Sequence, residues 1–295
     1  MQVDATYLLQ LTLNGLVLGL IYALIAAGLA LIFGVLDIIN FAHGETLMVG
    51  AYVMAFAIPA FNGQYVPAIL IAVGASAVLG VILYDGFLVR LREKDFERSI
   101  LITMGISMVL LYGCQYLFTS TPKMITTQLG FEGVQIGAIR ITWTRIVACG
   151  IALGAFGALW FMLYRTQFGR AMRAVAINRE AALMVGVKPR TVARNAVVVA
   201  SVLAGLAGAA LAPVHIVQPI MGQFLIYKAF ALVIIGGLGS MGGAILAGIA
   251  LGIIENWIGG FFSIIWQETA AFVGMIAVLL LKPHGLFARA GIRVG

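Results

Sequence analysis

Residues 14–45 read NGLVLGLIYALIAAGLALIFGVLDIINFAHGE. From Asn14 to Leu36 no side chain carries a charge, and then Asp37, Asn40, His43 and Glu45 arrive together. The apolar part shows no alternation of polar and apolar residues, so it is not the lipid-facing strand of a barrel. It is apolar all round and extends back to Ala5, which makes it longer than the about 20 residues that carry a helix through a hydrocarbon core of about 30 Å. The polar cluster that follows is the anomaly. An ionisable group in such surroundings faces protein or water and marks either a turn at the membrane surface or a pathway through it.

The same apolar texture recurs in Thr46–Tyr84, Ser99–Pro122, Ile146–Tyr164, Asn195–Tyr227 and Ala229–Ile254, with a shorter run in Thr269–Leu281 that extends outward past Glu268. Hydrophobic residues make up 62% of the 295-residue chain and charged residues 10%, with a mean hydropathy of +1.08. Soluble domains are roughly a quarter charged, so this chain lacks the polar surface to cover a water-soluble globule. The fold class is all-α, a polytopic membrane protein whose single domain spans residues 1–295. Spans are expected near 9–33, 39–58, 66–89, 99–118, 145–164, 195–217 and 262–281, with a glycine-rich zone at 228–258. The amino terminus, MQVDATYLLQ, lacks the basic region of a cleavable signal, so the first span is expected to be retained.

Loop charges set the orientation. Residues 165–194 hold Arg165, Arg170, Arg173, Arg179, Lys188, Arg190 and Arg194 against Glu180 alone, and 90–98 (RLREKDFER) holds four cations. Both loops belong on the cytoplasmic side, which puts the N-terminus outside. The net charge of +7 is thus accounted for beside the spans and does not point to nucleic acid. If 228–258 crosses once, Lys282, Arg289 and Arg293 end on the wrong side. Splitting it at IIGGLGSMGG into 228–238 and 241–258 gives nine segments and a C-terminus inside; the alternative is eight. The break echoes the first one, since LALIFGVLDIINFAHGE (29–45) and FALVIIGGLGSMGG (230–243) both run apolar, break and resume. Broken or re-entrant helices of this kind line pathways in transporters. Asn40, His43, Glu45, Gly236, Gly237 and Gly239 are therefore the candidate pathway residues. For 37–45 the loop charges, which put 34–44 near the cytoplasmic end of the first span, favour a turn there whose polar groups bond across helices over a break lining the route.

Other features have plainer readings. Gly15/Gly19, Gly150/Gly154, Gly239/Gly243 and Gly248/Gly252 are spaced for close helix packing. Cys114 and Cys149 read as small packing residues, and Asp85 as an interfacial anchor near Arg90. Glu255 and Glu268, with Trp257 and Trp266, read as an outer interfacial belt. His215 sits among prolines and His284 at a helix stop. No residue set is spaced for catalysis or for a metal, and GGLGSMGG lacks the lysine of a phosphate-binding loop.

The loop 165–194 contains AINREAALMVGVKPR (176–190). Asn178 is an N-cap, Gly186 a left-handed C-terminal residue, and REAALMV between them gives two helical turns. A helix this short is marginal alone in water and needs a surface to rest on, either lipid headgroups or a partner protein. Glu180-Ala181-Ala182 followed by Gly186 resembles the EAAxxxG core of the coupling loop in ABC importer permeases, although the family's downstream I-x-L-P is replaced here by AVVV at 196–199. Residues 14–45, 169–187 (GRAMRAVAINREAALMVGV) and 231–248 (ALVIIGGLGSMGGAILAG) resemble the smaller membrane subunit of the high-affinity branched-chain amino acid importers.

That resemblance implies an ABC importer permease of type II-like architecture in the bacterial inner membrane. It implies a heterodimer with a larger homologous permease, two cytoplasmic ATPases that hold ATP and Mg, and a periplasmic binding protein. The chain itself would bind no cofactor and carry out no catalysis. Residues Asn178, Arg179, Glu180, Ala181, Ala182, Leu183, Met184 and Gly186 would form the ATPase-coupling helix, with Glu180 and Gly186 fixing its ends and Leu183 and Met184 filling a groove. The competing reading is a secondary transporter or channel for a small zwitterionic or neutral solute, with Asp37, His43, Glu45 and Asp85 as its available ion-coupling groups.

Overall fold

The computed structural model describes residues 5–91, 96–125, 130 and 132–287. Arg289, Arg293 and the end of the chain lie outside the described residues, as do 92–95 of the first basic loop. The helices are α1 (Ala5–Leu36), α2 (His43–Ala60), α3 (Tyr65–Gly86), α4 (Phe96–Phe118), α5 (Trp143–Arg165), α6 (Gln167–Ile177), α7 (Arg179–Met184), α8 (Pro189–Leu211), α9 (Met221–Gly236), α10 (Met241–Phe261) and α11 (Ile264–Leu281). Seven of these, α1, α3, α4, α5, α8, α10 and α11, are long and apolar enough to cross a membrane. Of the four that fall short, α6 and α7 lie in the loop 165–194, while α2 and α9 adjoin the two breaks expected from sequence: six non-helical residues follow α1, and four separate α9 from α10.

The all-round apolar character of α1 has a direct consequence in the packing. Its most apolar window is 83% buried, against 6% for α11 and 22% for each of α4 and α5. Thus α1 is the central rod, packed against α10, α8, α9 and α5, while α11 stands at the edge on α9 and α10. Lipid tails are as apolar as leucine, so helices here are held by close contact rather than by escape from water. Glycine provides that contact between α1 and α10. A methyl group added at Gly15 would lie 2.6 Å from the Ile253 Cα, and one at Gly19 would lie 2.8 Å from the Ile249 Cα. Added at Gly248 it would lie 2.7 Å from the Ala23 Cα. Gly50 of α2 likewise meets the backbone of Gly205 on α8, and Gly208 meets the Leu47 carbonyl. Gly150 and Gly154, spaced identically, face open space.

Four features of the fold correct or add to the sequence reading. First, the helix expected over 195–217 ends at Leu211, where Pro213 approaches and Leu211 O accepts from the His215 amide. Second, the loop 165–194 builds two helices rather than one. In α6 the Thr166 hydroxyl accepts from the Gly169 amide, and Met172 and Val175 turn inward while Arg170 stays out. Third, the connection from α4 to α5 contains a small antiparallel hairpin, β1 (Gly133–Ile136) with β2 (Ile139–Thr142), turned at Gly137 with φ 62°. The Gln10 side chain of α1 anchors it, accepting from the Arg140 amide at 2.9 Å and donating to its carbonyl at 3.0 Å. The fourth concerns 37–45.

Candidate functional site

If 37–45 were a turn at the end of the first span, His43 would lie level with Leu36. It does not. The His43 Nε2 is 3.2 Å from the carbonyl of Ile25, and its ring occupies the space left by Gly28, beside the Ala200 carbonyl. Ile25 is eleven residues before Leu36, about 17 Å along the helix. Ala200 is the twelfth of the 23 residues of α8. Residues 37–42 therefore run back along α1 into the bundle, starting with Asp37 in the left-handed region at φ 52°. The turn is tied to α4, where the Thr103 hydroxyl accepts from the Phe41 amide and sits 3.3 Å from the Ile39 carbonyl. Asn40 closes it, its Oδ1 accepting from the Ala42 amide at 3.1 Å. The helix α2 begins deep inside the protein.

The three candidate polar residues of this break face different ways. Asn40 is spent on the turn. His43, fully buried, faces α1 and α8. For the contact with Ile25 to be a hydrogen bond Nε2 must donate, which leaves Nδ1 as an acceptor, and Nδ1 has no partner. Glu45, also fully buried, faces α4 and α9. Its Oε1 accepts from the Ser107 hydroxyl at 3.0 Å, and its Oε2 has no hydrogen-bond partner. Ser107 is the twelfth of the 23 residues of α4, so this carboxylate also lies at mid-span.

The glycine candidates form a separate feature. Gly236 is the last residue of α9, packed on the backbone of Gly243 and Ala244. Gly237 and Gly239 have φ 97° and 80°, which is what the turn requires of them. The chain beyond α11 covers this corner: the Leu286 amide donates to the Ile235 carbonyl and the Phe287 amide to Gly236. Gly222, which touches Gly44, lies roughly 21 Å along α9 from Gly236. The two breaks are thus distinct places, not one cluster.

The third element is α7. The Asn178 side chain accepts from the Ala181 amide at 2.9 Å. At the other end the Gly186 amide donates to Leu183 and the Val187 amide to Ala182, with Gly186 at φ 81°, a Schellman closure. Ala182 is buried beneath the helix. Leu183, Met184 and Val185 are 55%, 88% and 77% exposed. At the foot of α8, Arg194 pairs with Asp85 of α3 at 2.7 Å, so Asp85 serves as an ion-pair partner as well as an interfacial residue.

A family model described as branched-chain amino acid transport system / permease component matches residues 11–281. The chain belongs to this permease family. The high-affinity branched-chain amino acid transport system permease protein BraD of Pseudomonas aeruginosa is 28% identical over 95% of this chain and 96% of its own. The corresponding protein LivH of Escherichia coli K12 is 28% identical over 96% of each chain. A solved structure, PsaBC from Streptococcus pneumoniae in complex with Fab, shares the fold at a TM-score of 0.51 over 92% of this chain and 91% of its own, at 12% identity. The family match favours a transport-system permease over a secondary transporter or channel, and over an enzyme.

Within the permease, one polar cluster escaped the sequence reading. Glu255 is not part of an interfacial belt; it is fully buried and paired with Lys228 at 3.0 Å. The Tyr22 hydroxyl of α1 donates to Glu255 at 3.0 Å, and Lys228 also reaches the exposed Glu268 at 3.2 Å. Lys228 is the only charge between Asn195 and Ile254. A lone lysine there demands a counter-charge, and the first acidic residue to follow it supplies one.

Proposed function

We propose that this chain is the permease subunit of an ATP-driven importer that moves branched-chain amino acids across the bacterial inner membrane by alternating access. The observation that carries the mechanism is α7. It is closed at both ends by its own caps, yet its last two residues, Leu183 and Met184, and the following Val185 leave their apolar side chains exposed. A helix of six residues gains little from its own hydrogen bonds, so its exposed face needs a partner surface. A cytoplasmic ATPase is that partner. Asn178, Arg179, Glu180, Ala181, Ala182, Leu183, Met184 and Gly186 form the coupling helix within the loop 165–194 of a single permease domain, 1–295. Closure of two ATPases around ATP and Mg pulls on it, and α5 and α8 on either side tilt in response. The chain itself binds no nucleotide.

In this reading the permease pairs with a second, larger homologous permease, and a periplasmic binding protein delivers substrate to the face opposite α7. The N-terminus lies outside and the C-terminus inside. Substrate passes the start of α2, where Asn40 and His43 hold the break and Glu45 faces the route. Gly236, Gly237 and Gly239 permit the second break. The test is uptake of labelled leucine by cells carrying Leu183→Arg or Gly186→Glu. Expected is a drop of tenfold or more with normal insertion and assembly. Uptake at the normal rate in an assembled complex overturns the coupling role.

A further inference from the structure

Glu45 is a carboxylate at mid-span with no ion pair among the described residues and one oxygen without a partner. Burying such a group as a charge is costly unless a cation pairs with it, and intramembrane carboxyl groups of this kind mark substrate or ion pathways. Its surroundings keep space for it. Gly222 faces Oε2, and a methyl group there would lie 2.8 Å from that oxygen. Glu45 does not itself line a recess, but its hydrogen-bond partner Ser107 does, in one between α4 and α9 shared with Phe41, Met104, Met108, Gln223, Ile226 and Tyr227. Met104, Met108 and Tyr227 are 37%, 48% and 39% exposed, so the recess opens on the outside of this chain at mid-membrane depth. Hydrocarbon is a poor cover for Ser107 and Gln223, and a second permease is a good one.

We propose that Glu45 receives the α-ammonium group of the transported amino acid midway across the membrane, which rests on the amino-acid importer reading above. The chemistry matches group for group. An ammonium offers three donors, and the Glu45 carboxylate, the Ser107 hydroxyl and the Gln223 carbonyl are acceptors that can converge on it. Met104, Met108 and Ile226 suit an aliphatic side chain. The same oxygens are too few for a calcium ion, which takes six to eight. Ser107 now occupies one carboxylate oxygen as a neutral donor and is displaced or shared when the cation arrives. In this chain alone the recess holds only about 20 Å³, room for about one water, so the site is completed by the second permease. His43 faces the other way and takes no part.

The test uses the assembled importer in proteoliposomes. Glu45→Gln keeps the size and removes the charge. Leucine uptake is expected to fall at least tenfold while ATP hydrolysis stimulated by leucine-loaded binding protein persists. Unchanged uptake overturns the proposal. A second measurement covers a variant that fails to assemble. With Cys114 and Cys149 replaced by serine, Ser107→Cys is treated with a cationic or an anionic methanethiosulfonate. Glu45 should favour the ethylammonium reagent over the sulfonate by fivefold or more, and leucine turnover should slow the modification. Equal rates for the two reagents overturn the proposal. If the wild-type complex takes up no leucine, the importer reading fails on its own, because the reagent preference is read without transport.

Discussion

Removing the Lys228 ammonium should be among the most damaging single changes that this protein can suffer. Lys228→Met keeps the length and apolar stem of the side chain but leaves Glu255, with no solvent exposure, facing Tyr22 alone. Breaking a buried ion pair by deleting one partner costs about 3–5 kcal/mol, most of it the price of an uncompensated charge. The Tyr22 hydroxyl still donates to Glu255, and a hydrogen bond to a charged group is worth about 1.5–3 kcal/mol, which places the expected loss near the lower end, about 3 kcal/mol. Glu268 adds little, because it is 62% exposed and an exposed partner contributes at most about 1 kcal/mol. The double variant Lys228→Met/Glu255→Leu removes both charges and should recover most of the loss. Unfolding in mixed micelles by SDS titration measures all three. A single variant as stable as wild type, or a double variant no better than the single, would refute the view that an unpaired charge is what destabilises.

Further expectations concern packing, capping and orientation. Gly252→Val places a side chain against the Gly19 backbone and should abolish detergent-stable protein, whereas Gly150→Ala, at a site facing open space, should leave yield and unfolding within about 0.5 kcal/mol of wild type. Asn178→Ala removes the cap of α7 at a cost of about 1 kcal/mol, and should lower the transport rate at unchanged expression, read as leucine uptake per assembled complex. Asp85→Asn opens an ion pair whose partners are nearly half exposed and should shift stability by less than about 1 kcal/mol in the same SDS titration. A cysteine introduced in place of Ile292 should react with membrane-impermeant reagents only from the cytoplasmic side; reaction from outside alone would reject the nine-segment topology.

Membrane character, the two breaks and the capped loop helix were legible because each has a local cause. Charge-free runs specify spans, Gly237 and Gly239 specify a turn, and Asn178 and Gly186 specify helix ends. The depth of the first break was not legible. Nothing in DIINFAHGE says whether the chain turns at the surface or doubles back beside α1; that is settled by His43 fitting against Gly28, a contact between distant parts of the chain. The glycine pairs teach the same lesson. Gly15/Gly19 and Gly150/Gly154 share one spacing, yet the first lies on α10 and the second packs on nothing. Glu255 was misplaced because proximity to Trp257 suggested an interface, while its true partner stands 27 positions earlier on another helix.

The buried start of α2 also bears on how the protein is made. Gly44 rests on Gly222, and Leu47 on Gly208, so the start of α2 gains the last of these neighbours only when residues 178 positions further along have been synthesised. At 5–20 residues per second that interval is on the order of ten to thirty seconds. Through it, Glu45 has at most Ser107 for company in a nascent bundle that lacks α8 and α9. The segment least suited to lipid therefore waits through more than half of synthesis for shelter, and biogenesis must hold it, near the insertion machinery or out of the bilayer, until the second half of the chain arrives.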